Sequence, residues 1–208
     1  MDKEKYLKKY NYIKRRKLFV FLVILFFISI IFGVFYFLLG SKSNKTITID
    51  YYNNFFSVIK SGKLDYLACL INSISSNIIE TIILFIMSIS IIGVIFVFFF
   101  FLFHSFTLGY VIASFISFYK LKGIISLIIY IIPLLFHIMA LFVLSFYSFN
   151  FAVRFYKYLI KKKDTDIKIY FKRYLRVFLG ILLFLFINSL LESIAIPFIL
   201  KTFTNSLI

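Results

Sequence analysis

The chain has 208 residues, 62% hydrophobic and only 15% charged, with 24 Lys and Arg against 8 Asp and Glu. Soluble domains are about 45–50% apolar, so this chain lacks the polar residues to clothe a water-facing exterior, and lipid must cover much of it. The net charge of +16 lies in short basic blocks between apolar runs, which reads as membrane orientation and excludes nucleic acid as the simpler partner. Cys69 is the sole cysteine, so an intramolecular disulfide and a zinc site built on several cysteines are both excluded. Trp is absent, leaving Tyr as the interfacial aromatic.

In chain order, residues 1–17 form a basic start carrying eight Lys and Arg. The uncharged run 18–39 follows, 22 residues or roughly 33 Å of helix, enough to cross a hydrocarbon core of about 30 Å. It exceeds the apolar core of a cleaved signal, so it is expected to remain as a first span. Residues 40–77 are the longest polar stretch. Asp50 is expected to cap a short helix ended by Gly62, and residues 64–75 form a second amphipathic piece lying on the membrane surface.

The run from Glu80 to Tyr119 is too long for one span and about right for two. The break is expected near Phe103-His104-Ser105, where the polar groups are, giving spans over 78–103 and 105–119. The second of these is short, with re-entry as the alternative to crossing. Ser105, Gly109, Ala113 and Ser117 recur at a spacing of four and mark a helical face that another helix can approach closely. The run 124–153 is long and must tilt, kink or project. Pro133 supplies a kink, and His137, one turn later, is expected to donate to a carbonyl freed by the proline rather than to bind metal. Residues 154–176 read as a basic loop with nine Lys and Arg, and 177–200 as the fifth span.

The expectation is therefore an all-α, polytopic membrane bundle of five helices, one membrane domain, multi-pass in the cell membrane. With the N-terminus cytoplasmic and the C-terminus outside, 17 basic residues lie inside and 7 outside, which satisfies the positive-inside rule. The inner blocks should bind anionic lipid. Within span five, Asn188 and Glu192 stand one turn apart on one face, with Pro197 near its end. A buried acid must face protein or water, so Glu192 is either a partner contact, an ion or proton site, or an interfacial acid that stabilises packing. Catalytic signatures are absent: no Walker loop, no HExxH, no GxSxG, and no paired acids on a helix face. The chain reads as a non-enzyme, with no cofactor and no metal; a homo-oligomer is compatible with it. A channel lacks anything like a selectivity filter.

Three segments carry a resemblance. Phe103-HSFTLGYVIASFISFYKLKGI-Ile125 is similar to the second block of the stage II sporulation protein M family. Asn72-SISSN resembles the family's entry into the second span, and the closing segment from Leu190 to Lys201 resembles an L-x-E-x-x-x-x-P pattern in which Glu192 and Pro197 match. Pro133 matches the proline of the fourth span, although many members place His or Gln directly after it and here Leu134 follows. The resemblance implies a five-span, non-enzymatic scaffold that holds peptidoglycan-degrading enzymes, an amidase and a lytic transglycosylase, at the septal membrane during engulfment in sporulation. A small-substrate transporter or permease subunit is the alternative from another class.

Overall fold

A computed structural model describes residues 3–90, 92–120, 124–161 and 167–203, with side chains over 16–159 and 167–201 apart from those gaps. Seven helices follow in order: α1 Lys3–Leu39, α2 Lys42–Ser61, α3 Tyr66–Ser88, α4 Gly93–Tyr119, α5 Ile124–Lys161, α6 Ile167–Leu190 and α7 Ile196–Phe203. A π-helical turn, Leu191–Ala195, joins the last two. No strand occurs among the described residues. Five stretches are long and apolar enough to span a bilayer: Arg16–Leu39, Tyr66–Ser88, Gly93–Tyr119, Ile124–Leu159 and Ile167–Lys201. The five-span expectation is met, and the chain is a multi-pass membrane protein.

Several boundaries differ from those read in the sequence. The break in the long run falls at residues 89–92, not at Phe103–Ser105. Polar groups can stay inside a span when they find partners across helices, and His104 does so. The turn forms where backbone geometry permits it. Ser90 Oγ accepts from Gly93 N at 2.8 Å, and a Cβ at Gly93 would stand 1.7 Å from the Met87 carbonyl oxygen. The second span is thus 66–88 rather than 78–103. The third has 27 residues, not the short 105–119, and needs no re-entry.

Residues 64–75 do not lie on the surface as a separate piece. Asp65 caps α3 by accepting from the amides of Leu67 and Ala68, both at 3.1 Å. Asp50 is no cap either: Ser41 holds that place, accepting from Asn44 N at 3.3 Å, and Asp50 lies mid-helix. Gly62 does end α2, in the left-handed conformation at φ 69°. The stretch 154–176 is mostly the ends of α5 and α6 rather than a loop. Lys162, Lys163, Lys122 and Gly123 lie outside the described residues.

The most extensive helix pairing is between α1 and α4. A Cβ at Gly109 would come 2.1 Å from the Ile30 carbonyl oxygen, and one at Gly33 would come 2.0 Å from that of Phe106. Ser29 Oγ donates to the Leu102 carbonyl at 2.6 Å across the same seam. Lipid tails are as apolar as Leu, so close backbone approach and interhelical hydrogen bonds take over from hydrophobic exclusion as the cement.

The main core gathers Leu22, Leu84, Val97, Phe101, Leu141, Leu144 and Leu185 from five helices. Beside it, Tyr174 of α6 meets Ser88 of α3 and, at 2.9 Å, Ser148 of α5. Each serine also bonds to a carbonyl of its own helix. A second cluster seats α2 on one end of the bundle: Tyr52, Phe56 and Ile59 pack against Val111, Phe115, Leu127, Ile196 and Leu200. Tyr52 Oη meets Ser114 Oγ at 2.8 Å. Burial pushes the Tyr52 phenol up to about 12 despite that bond, so it stays a neutral partner over the ordinary pH range.

Candidate intramembrane site

Three spans each bring one titratable side chain to a common point. Glu80 lies in the second half of α3, His104 near the middle of α4, and His137 one turn beyond Pro133 in α5. His104 Nε2 stands 3.0 Å from Glu80 Oε1. His137 Nε2 stands 3.6 Å from the same oxygen. The two imidazoles are 4.5 Å apart, centroid to centroid, at 38°. Their ligand-type atoms and the carboxylate all fall within 4.8 Å of one another. His137 is 95% buried, and its Nε2 has no hydrogen-bond partner within reach.

The reason for this meeting is depth. Glu80 precedes the α3–α4 turn by roughly 12 Å of helix, and His104 follows it by roughly 16 Å, within one helical turn of the same depth. The hairpin thus sets them opposite each other, and α5 closes the third side. A carboxylate at mid-membrane is tolerated where it pairs, and here it has two imidazoles.

The sequence placed His137 against a proline-freed carbonyl. Instead His137 turns to Glu80; Asn188 Nδ2 donates at 3.1 Å to the carbonyl of Pro133 itself, not to the carbonyl four residues earlier that the proline frees. The titratable neighbours of His137 come from α3 and α4 rather than from its own helix. His104 is no turn residue; it lies within α4 and pairs with Glu80. Helix α5 runs through Pro133 unbroken.

Asn188 and Glu192 do not act as a pair. Asn188 is buried against Pro133, while Glu192 is exposed and accepts from Ser73 Oγ at 2.6 Å. The π turn between them explains the divergence. Pro197 cannot donate and its ring collides with the carbonyl a turn earlier, so the backbone widens and Ile196 N bonds to the Leu191 carbonyl. Asn77 Nδ2 donates to Ser189 Oγ at 2.9 Å beside the Ser73–Glu192 bond, giving α3 and α6 a polar seam. Of the small-residue stripe, Ser105, Gly109 and Ala113 are buried; Ser117 is exposed and takes no part. Gly33, the partner of Gly109, was not singled out in the sequence, although Ser29 and Gly33 share the same spacing of four.

The family model for stage II sporulation protein M matches residues 22–197. That range takes in the second, third and fourth spans whole and most of the first and fifth, with the three residues of the polar cluster and the Ser73–Glu192 seam. The chain belongs to the stage II sporulation protein M family. No match was found among curated proteins or among solved structures. In this chain the entry segment Asn72–Asn77 and the closing segment from Leu190 are the two sides of one helix seam, which gives those two patterns a common physical reason.

Proposed function

We propose that this protein is a non-enzymatic membrane scaffold that holds peptidoglycan-degrading enzymes at the membrane, with its N-terminus cytoplasmic and α2 on the outer side. The observation that carries this reading is α2. It is not a slack linker: Tyr52, Phe56 and Ile59 fix it to the bundle. Asp50, Asn54 and Ser57, at helical spacing on the other face, stay exposed. A fixed amphipathic helix with a polar outward face is a docking platform whose ordering cost is already met before a partner arrives. The test is co-purification of the full chain with an amidase or a lytic transglycosylase from the membrane of its host; absence of both from cross-linked complexes ends the reading.

A transporter or permease subunit is the second reading, favoured by the π turn and by titratable groups at mid-span, both of which recur at transport sites. Substrate-dependent flux in liposomes holding this chain alone would decide for it.

Sidedness has its own measurement. Cys69, half-buried in the first turn of α3, should label slowly with a membrane-impermeant maleimide in intact cells, since its partial burial limits access of the reagent to the sulfur. In a Cys69→Ser background, Ser43→Cys should label from outside and Thr165→Cys only after permeabilisation. Labelling of both in intact cells would break the alternation of five spans.

Glu192→Gln should leave insertion intact, because Gln can still accept from Ser73. It should lower partner capture severalfold if the exposed carboxylate is read by the partner. Unchanged pull-down yield together with unchanged wall remodelling would assign the acid to packing alone.

A further inference from the structure

We propose that Glu80, His104 and His137 form a binding site for a divalent first-row transition metal ion, held between α3, α4 and α5. This goes beyond the scaffold reading and does not depend on it.

Two imidazole nitrogens and one carboxylate oxygen converge from three helices. In a tetrahedral site with bonds of about 2.0–2.1 Å, neighbouring donor atoms stand about 3.3 Å apart. The distances from Glu80 Oε1 to the two Nε2 atoms, 3.0 and 3.6 Å, straddle that spacing. All three donor atoms lie within 4.8 Å of one another, so side-chain rotation would draw them onto an ion without moving the helices.

The second observation is the state of His137. Its Nε2 is buried, aimed at the cluster and without a hydrogen-bond partner, a condition native structures rarely leave unanswered. Glu80 Oε1 can serve His104 at 3.0 Å, but His137 stays beyond hydrogen-bond reach of it. A cation among the three atoms satisfies both nitrogens and the carboxylate together, which a single shared proton does not.

The donor set selects the ion. Nitrogen donors disfavour Ca²⁺ and Mg²⁺, and the absence of a thiolate from the three donors disfavours Cu(I). Two His and one carboxylate suit Zn²⁺, Fe²⁺ or Co²⁺ and leave a coordination position open. The side chains of His104 and Glu80 keep 21% and 22% exposure, so one side of the site reaches the outer face of the helix bundle.

The test uses the full-length chain, purified in detergent without a polyhistidine tag, stripped with chelator and titrated with Zn²⁺ and with Co²⁺. We expect about one Zn²⁺ per chain with a rise in melting temperature, and visible ligand-field bands with Co²⁺. Glu80→Gln, His104→Gln and His137→Gln should each weaken binding at least tenfold, whereas Cys69→Ser and Glu192→Gln should leave it unchanged. Gln keeps hydrogen-bonding capacity and bulk, and the elution volume of each variant reports its fold. No Zn²⁺ on a folded wild-type chain, or binding that the three variants do not alter, overturns the site and leaves a hydrogen-bonded Glu–His pair. Should a variant fail to fold, the wild-type Co²⁺ spectrum decides: bands characteristic of nitrogen and oxygen ligation uphold the proposal, and their absence at saturation refutes it.

Discussion

Gly109→Leu should abolish accumulation of the folded protein. The first atom of the new side chain would sit 2.1 Å from the Ile30 carbonyl oxygen, 2.8 Å from its carbon and 3.0 Å from its Cα. All three are backbone atoms of a helix that cannot yield as a side-chain tip can. Overpacking of a closed interior costs about 1–3 kcal/mol and occasionally more; with backbone on the far side, the upper end applies. Gly33→Ala should behave in kind, since its Cβ would meet the Phe106 carbonyl at 2.0 Å. Gly180 is the internal control. A Cβ there meets nothing within 4 Å, so Gly180→Ala should be neutral or stabilising by about 0.5–1 kcal/mol. Detergent melting temperature and monodisperse yield measure all three. Wild-type behaviour of both Gly109→Leu and Gly33→Ala would mean that the α1–α4 seam is not closed in the membrane.

Phe56→Ala should free α2 from the bundle while leaving the five spans assembled. Phe56 is fully buried, edge-on to Phe115 and Tyr119. Removing such a side chain costs about 3–5 kcal/mol, and α2 has few other anchors, Tyr52 and Ile59 chief among them. Trypsin provides the readout, because Lys60 and Lys63 flank the helix end at Gly62. Cleavage there should accelerate by at least tenfold in the variant, while elution volume and helical content hold. If α2 is also the docking platform, capture of the wall-degrading partner should fall in step. Unaltered tryptic cleavage would show that the seat of α2 lies elsewhere.

The number of spans was legible because apolar runs of sufficient length have few other uses. Their boundaries were not, for one physical reason. Sequence reading placed the break where polar groups stand, at His104 and Ser105, on the premise that polarity seeks water. In the bundle Ser105 returns its hydroxyl to the Phe101 carbonyl at 2.7 Å, and His104 finds Glu80, so neither needs water. The true turn was marked by Gly93 and by Ser88 and Ser90, a quieter signal. Once the turn is moved there, Glu80 and His104 fall within one helical turn of the same depth, and their pairing becomes readable. His137 joins it only through the packing of α5, which no spacing along one helix reveals. Gly109 was legible from the stripe, but Ser117 shows that such a pattern outruns the contact it marks. The separation of Asn188 from Glu192 follows from a π turn, a local widening for which Pro197 was the available clue.

The pairing of α1 with α4 sets a timetable for how the protein is made. Helix α1 enters the bilayer carrying Ser29 and Gly33 toward a surface of α4 that has not been synthesised. At about 5–20 residues per second, the ribosome needs roughly 4–14 s to advance from the end of α1 to Gly109. Throughout that interval the first helix waits in lipid with its seam open, beside α2 and the incoming α3. Substitutions in the seam should therefore act first as defects of biogenesis. They should appear as chains degraded soon after synthesis, in cells where the few molecules that complete assembly are as durable as the wild type.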